Sequence, residues 1–157
     1  MSTRYTFRPM AEISGRTVFA EEARPEVSGQ FSIVGVLAGG IASDVFPILM
    51  PKLALIVEYQ QLEGVEPLEV RLAAFMPGAS ANEPFWEHAH GVEAWVNFLT
   101  PSDENPGPYP FPSVRRITQV VNLASVEIPK PGVLQVRAFR DGEVISLGGL
   151  DVRRVQP

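Results

Sequence analysis

The chain contains no cysteine among its 157 residues, which excludes disulfides, zinc–thiolate centres and cysteine nucleophiles. Histidine is scarce as well, with two residues, so an imidazole-rich metal site or a serine–histidine pair has few residues to draw on. Neither a Gly-x-Ser-x-Gly elbow nor a Gly-rich loop followed by Lys-Ser or Lys-Thr occurs. The sequence therefore predicts no catalytic residue and no cofactor, and it disfavours an enzyme without deciding the question.

Positive charge is also sparse, because 13 Lys and Arg stand against 18 Asp and Glu and the formal net charge is -5. Its densest points are two arginine pairs, at 115–116 and 153–154. Such a chain repels phosphate backbones and anionic lipid, so we expect no nucleic-acid or membrane partner. No apolar run has the length of a signal peptide or reaches the ~20 residues of a membrane span, which predicts a soluble, cytoplasmic protein.

The chain is rich in residues that form turns, because 13 glycines and 15 prolines are dispersed between short apolar runs. This distribution is typical of many short strands joined by turns. Alternation of apolar and polar residues predicts strands over 52–60 and 66–76, and residues 61–65 are expected to form a hairpin loop between them. A strand over 17–23 is expected to pair with the run 30–37 across residues 24–29. In the run 30–37 both alternating sets are mainly apolar, which predicts a strand buried on both faces. A further long strand is expected over 117–128, bent near Asn122.

The C-terminal hairpin is the sharpest local prediction, because a two-residue type I′ turn at Asp141-Gly142 fixes the register. One face of the hairpin then carries only apolar residues and glycine, apart from the oppositely charged pair next to the turn. The expected pairs on that face are Arg140 with Glu143, Ala138 with Ile145, Val136 with Leu147 and Leu134 with Gly149. The opposite face pairs Phe139 with Val144, Arg137 with Ser146 and Gln135 with Gly148. A β-bulge is expected at Gly148-Gly149.

Residues 82–99 fit two patterns. As a helix capped by Asn82, the segment carries an apolar stripe at helical spacing that includes Phe85, Val92 and Val96. As a strand, it places Trp86, His88 and His90 on one face. The surrounding strand-rich sequence favours the second pattern, and Gly91 disfavours the helix by about 1 kcal/mol relative to Ala.

Together these patterns predict a mostly β protein, a single-domain antiparallel β-sandwich of about seven or eight strands over residues 1–157, with at most one short helix. Such a sandwich without convergent polar chemistry favours a non-enzymatic binding or structural module, including one that self-associates. Three aromatic residues are candidate binding residues, either for a protein partner or for a second copy. They are Trp95, and Tyr109 and Phe111 of the proline-rich segment 101–112. The alternative for that segment is a crossover loop whose aromatics pack.

The competing hypothesis is a metal-binding enzyme or sensor centred on His88 and His90. On a strand the two imidazoles project from one face and share a metal, with Glu93 or another carboxylate as a further ligand, as in a cupin-like site. The cupin pattern also includes a glycine where this chain has Asn82, and a third histidine that it lacks. If the segment is helical, the two rings point apart.

The order of several segments resembles a family of short bacterial and phage-borne proteins known only as a domain of unknown function. The likeness is carried by residues 21–23, 28–37, 45–47 and 52–60, and by the ending 128–136 with 141–143, where Val133 stands in place of the family's usual aromatic. The resemblance implies the fold and supplies no catalytic residue. It implies in addition a third hypothesis, a phage- or secretion-associated accessory protein.

Overall fold

The computed structural model describes residues 11–98 and 114–156, without the side chains of 96–98. The described residues form ten strands and one turn of 3-10 helix at Val92–Ala94. The strands are β1 (Ile13–Pro25), β2 (Phe31–Val36), β3 (Ile41–Ser43), β4 (Ile48–Leu62), β5 (Val70–Phe75), β6 (Trp86–His90), β7 (Val96–Phe98), β8 (Val114–Ile128), β9 (Gly132–Arg140) and β10 (Glu143–Arg154). None of these residues belongs to a helix long and apolar enough to cross a membrane.

The strands form two sheets that share one core, so the predicted mostly β sandwich is confirmed. Sheet A has the order β2-β1-β4-β8-β7, and sheet B has the order β3-β10-β9-β5-β6. The described residues contain ten strands where about seven or eight were expected, and two of the additional ones have three residues each. The pairing of β3 with β10 is parallel, whereas every other described pairing is antiparallel.

The core forms because alternate residues of each strand point between the sheets. In β4 the inward set is Leu53, Leu55, Val57 and Tyr59, and in β9 it is Leu134, Val136 and Ala138; all are fully buried. Burial of a Val or Leu side chain contributes about 1.5–3 kcal/mol relative to exposure. The sandwich is therefore held mainly by the alternation that was visible in the sequence.

The hairpin between β9 and β10 has the predicted turn, with φ of 48° at Asp141 and 77° at Gly142. The four pairs nearest the turn, from Arg140–Glu143 to Arg137–Ser146, are as predicted. Beyond them the prediction is wrong, because a bulge between Ser146 and Gly149 shifts the register. Gly149 lies opposite Gln135 and Leu150 lies opposite Leu134. A bulge was predicted at Gly148-Gly149, but in the structure it begins directly after Ser146. The predicted pairs Val136–Leu147 and Leu134–Gly149 therefore do not form.

Two other predictions are wrong for a common reason, namely that pairing partners are set by the whole fold. Residues 61–65 do not form a hairpin loop, because β4 lies in sheet A and β5 in sheet B. Residues 61 and 62 are the end of β4, and residues 63–69 cross from one sheet to the other. The run 30–37 is not buried on both faces, because β2 is the edge of sheet A and all six of its residues are exposed.

The segment 82–99 follows the strand interpretation in two pieces. β6 pairs with β5, and β7 pairs with β8 of the other sheet. The 3-10 turn between them begins after Gly91 and ends at Trp95, so the chain changes sheet there. His88 and His90 consequently lie on one face of an edge strand.

Proline in the central strand β4 explains an irregularity of sheet A. β1 pairs with β4 only as far as Ala20–Ala54, and continuing that register would place Pro51 opposite Ala23. Proline has no N–H to donate to a neighbouring strand. The side chain of Asn122 from β8 takes this role, since its Nδ2 donates to the Ala23 carbonyl at 2.8 Å and its Oδ1 accepts from the Ala23 N–H at 3.0 Å.

Candidate functional site

The most distinctive surface feature is the edge strand β2, which we call the β2 edge (Phe31–Val36). It contains no charged residue, and its apolar side chains remain largely exposed. The exposed fractions are 49% for Phe31, 40% for Ile33, 40% for Val34 and 55% for Val36. Edge strands of monomeric proteins are ordinarily protected by charge, proline or a covering segment. The β2 edge therefore has the composition of a strand that accepts a partner.

The backbone of the β2 edge has hydrogen-bonding groups directed outward. Ala23 of β1 uses its N–H and C=O on Asn122, on the side away from β2. Ile33 lies directly opposite Ala23. In an antiparallel ladder such a pair is non-hydrogen-bonded, so the N–H and C=O of Ile33 also point away from β1. No strand among residues 11–98 and 114–156 pairs with this side of β2, so a further strand could use these two groups.

The β2 edge is supported by the segment of β1 that no longer pairs with β4. β2 pairs with residues from Ala20 to Pro25 of β1, and the Asn122 side chain fastens this segment to β8. Beside it, Glu22 accepts from Arg24 at 2.8 Å and from Lys52 at 3.0 Å. These two hydrogen bonds lower the pKa of Glu22 to about 2. The carboxylate of Glu22 is thus paired within the chain.

At the opposite edge of the molecule lie His88 and His90 of β6. Their ring centroids are 4.6 Å apart and the planes are inclined at 66°. His88 is exposed, whereas His90 is 9% exposed and its Nε2 has no hydrogen-bond partner within the described part of the chain. Burial, and then the charge of His88, lower the pKa of His90. The carboxylate of Glu93 lies against Gly91, and no group of three metal-ligating side chains occurs in the part of the chain that the structure describes.

Trp95 lies at the end of the sandwich where the chain crosses from β4 to β5. Its ring packs on Tyr59 with centroids 5.4 Å apart, and its Nε1–H donates to the carbonyl of Leu68 at 3.0 Å. Buried Gln61 donates to the carbonyls of Val65 and Glu66. Arg140 of β9 also donates to the Glu66 carbonyl, at 2.7 Å. Side chains from three elements therefore hold the crossover, and Trp95 is one of them.

A polar cleft of about 310 Å³ is present on the outer face of sheet A. Glu58 accepts from Arg16 and lies 3.6 Å from Nη1 of Arg116. Gln60 accepts from Arg116 at 3.3 Å and donates to the Ser14 hydroxyl at 3.0 Å. The cleft is thus spanned by a ladder of contacts among its own residues, which indicates a structural role.

The outer face of sheet B carries alternating cations and rings that the sequence patterns did not reveal. Arg71 lies 4.1 Å above the ring of Phe139, and Arg137 lies 5.1 Å from the ring of Phe75. The two rings meet edge to face at 6.1 Å. The hairpin register did place Arg137 and Phe139 on this face, but their partners come from β5, 60 or more residues earlier. Only the β5–β9 pairing brings them together.

The residues predicted from the sequence to bind a partner or a metal do not form one site in the described part of the chain. Tyr109 and Phe111 lie outside the described residues. Trp95 has its N–H engaged within the chain, while His88 and His90 are brought together by β6. The β2 edge was missed because its apolar, uncharged pattern is typical of a buried strand, and it lacks the charged residues or proline that ordinarily mark an edge strand.

No known protein family, curated protein or solved structure matches the chain. The resemblance to a family of unknown function, with the phage or secretion setting that it implies, therefore stays a prediction. Function must be argued from the geometry alone.

Proposed function

We propose that the protein is a non-enzymatic structural module that associates with a second copy of itself through the β2 edge. The observation that carries the proposal is an exposed, uncharged six-residue strand whose central residue directs its N–H and C=O outward. Strand addition at such an edge gains main-chain hydrogen bonds and covers apolar side chains at once.

A two-fold arrangement follows from the backbone geometry. Because Ile33 directs both of its polar backbone groups outward, the antiparallel pairing that uses them best places Ile33 opposite its own copy. Ser32 then faces Val34, and Phe31 faces Gly35. No like charges oppose each other in this register.

The other described edges fit a partner strand less well. β3 and β7 have three residues each. β6 carries the charged residue Glu87, which is paired with Arg71 at 2.7 Å. The β2 edge is longer than these strands and is free of charge, so a second copy is best accommodated there.

The size of the edge sets the expected affinity. Pairing of one short strand buries less than the roughly 1,200 Å² of a standard stable interface. Weak association in the micromolar range or above is therefore expected. Sedimentation velocity from low micromolar to near-millimolar concentration should show a reversible monomer–dimer equilibrium.

The test is Ile33→Lys, which opposes two like charges at the two-fold axis and should abolish the dimer. The matched control is Val133→Lys, because Val133 is 44% exposed, similar to Ile33, but lies in β9, between β10 and β5. The control should dimerise like the unmodified chain. A monomer at every concentration, or equal dimerisation of both variants, would refute the proposal; thermal melts establish that each variant is folded.

A further inference from the structure

The two histidines of β6 form a second feature, on the edge of sheet B and independent of the β2 edge. β6 pairs with β5 so that His88 lies opposite Leu72 and His90 opposite Val70. The period-two geometry of a strand directs both imidazoles to one face. The chain has two histidines in all, and the fold places them in ring contact.

The separation of the rings matches a chelate. Two imidazoles bound through nitrogens at about 2.0–2.1 Å to one ion in neighbouring positions have ring centroids roughly 4.5–5.2 Å apart. The observed separation is 4.6 Å. The separation of the His88 and His90 rings is therefore within the range expected for two imidazoles on one ion.

The state of His90 points to a ligand in its own right. Its Nε2 is buried and has no hydrogen-bond partner in residues 11–98 and 114–156, and a buried polar atom of this kind calls for an ion or a water to satisfy it. His88 is exposed, which gives an ion access from solvent.

We propose that His88 and His90 form a two-imidazole site for a divalent ion of the copper, nickel and zinc group. Water completes the coordination, because no third His, Asp or Glu joins the pair among residues 11–98 and 114–156. Glu87 on the opposite face is held by Arg71. By the order of first-row affinities, Cu²⁺ binds most tightly.

The experiment uses the full chain without a polyhistidine tag, stripped of metal by chelator and titrated with Cu²⁺. Tryptophan fluorescence reports binding, because Trp86 lies two residues from His88 on the same face of β6. Saturable quenching at one ion per chain is expected, with two nitrogen donors in the electron paramagnetic resonance spectrum. Added Cu²⁺ should also raise the melting temperature, since it binds the folded pair.

The matched control keeps the number of histidines and changes only their geometry. In the double variant His88→Ala with Ala89→His, the two imidazoles lie on opposite faces of β6. This variant, and His88→Ala alone, should lose saturable binding and the two-nitrogen spectrum. If the double variant binds Cu²⁺ like the unmodified chain, or if the unmodified chain does not bind, the proposal is overturned. Ile33→Lys should leave Cu²⁺ binding unchanged, which separates this site from the β2 edge.

Discussion

Replacing Asn122 by alanine should loosen the attachment of the β2 edge to the rest of sheet A. The variant removes two hydrogen bonds, one to the N–H and one to the C=O of Ala23. Pro51, which would lie opposite in the interrupted register, cannot supply the missing donor. We therefore expect Asn122→Ala to destabilise the fold and to expose the outer part of β1.

The expected loss of stability depends on whether water can reach the N–H and C=O of Ala23 in the variant. Asn122 is itself exposed, so water reaches Ala23 once the amide is gone, and the net value of each hydrogen bond applies rather than a full desolvation cost. At about 0.5–1.5 kcal/mol for each bond, the loss is about 1–3 kcal/mol. For a chain of this size that lowers Tm by roughly 2–12 °C.

Urea and thermal unfolding measure this loss, and amide hydrogen exchange locates it. Exchange should accelerate at Ala23 and along β2 while the core residues of β4 and β9 keep their protection. Asn122→Asp should destabilise the fold at neutral pH as well, because it sets a carboxylate oxygen against the Ala23 carbonyl. The control is Thr118→Ala, an exposed position on the same strand, expected within about 0.5 kcal/mol of the unmodified chain. An equally small effect of Asn122→Ala would refute the bridging role of the amide.

Two further predictions concern groups in the interior. The Tyr59 hydroxyl is buried without a hydrogen-bond partner among the described residues, and burial raises its pKa to about 12. The folded state therefore favours the neutral phenol. About 2–3 kcal/mol of stability is present below the unfolded pKa of about 10 and is lost as pH rises to about 12. Tyr59→Phe should remove that loss in alkaline urea titrations while changing stability at pH 7 by less than about 1 kcal/mol, and an unchanged alkaline loss would contradict the assignment. A Cβ at Gly15 would lie 2.3 Å from the Glu58 carbonyl, so Gly15→Ala should cost at least about 1–3 kcal/mol by overpacking. Gly64→Ala, with open space around its Cβ, should be neutral or stabilising in the same melts, and equal behaviour of the two variants would argue against a steric cause.

The alternation of side chains was sufficient to predict the fold class and the inward residues of β4 and β9. It also gave the turn at Asp141-Gly142 and four pairs beyond it, since these depend on neighbours within a few residues. The register failed past Ser146, where the bulge begins earlier than the glycines alone indicated. Local chemistry therefore accounts for the elements and the turn more fully than for the pairing.

What could not be predicted depends on which strands become neighbours. The apolar pattern of β2 suits a buried strand and an exposed edge equally well, and only its position beside β1 decides between them. The Asn122 bridge likewise requires β8 to lie beside β4, more than 60 residues earlier in the chain. For the candidate sites, the spacing of His88 and His90 was visible in the sequence, whereas the 4.6 Å approach of their rings required the fold.

The order of the strands has a consequence for how the protein folds. Within the described residues, the chain passes from one sheet to the other five times between β2 and β9. Neither sheet is therefore a continuous piece of sequence, and neither can bury its apolar face before distant parts of the chain meet. Folds dominated by such non-local contacts fold slowly, typically in milliseconds to seconds. The segment of β1 that supports the β2 edge can therefore be fixed in place only after β4 and β8 have formed.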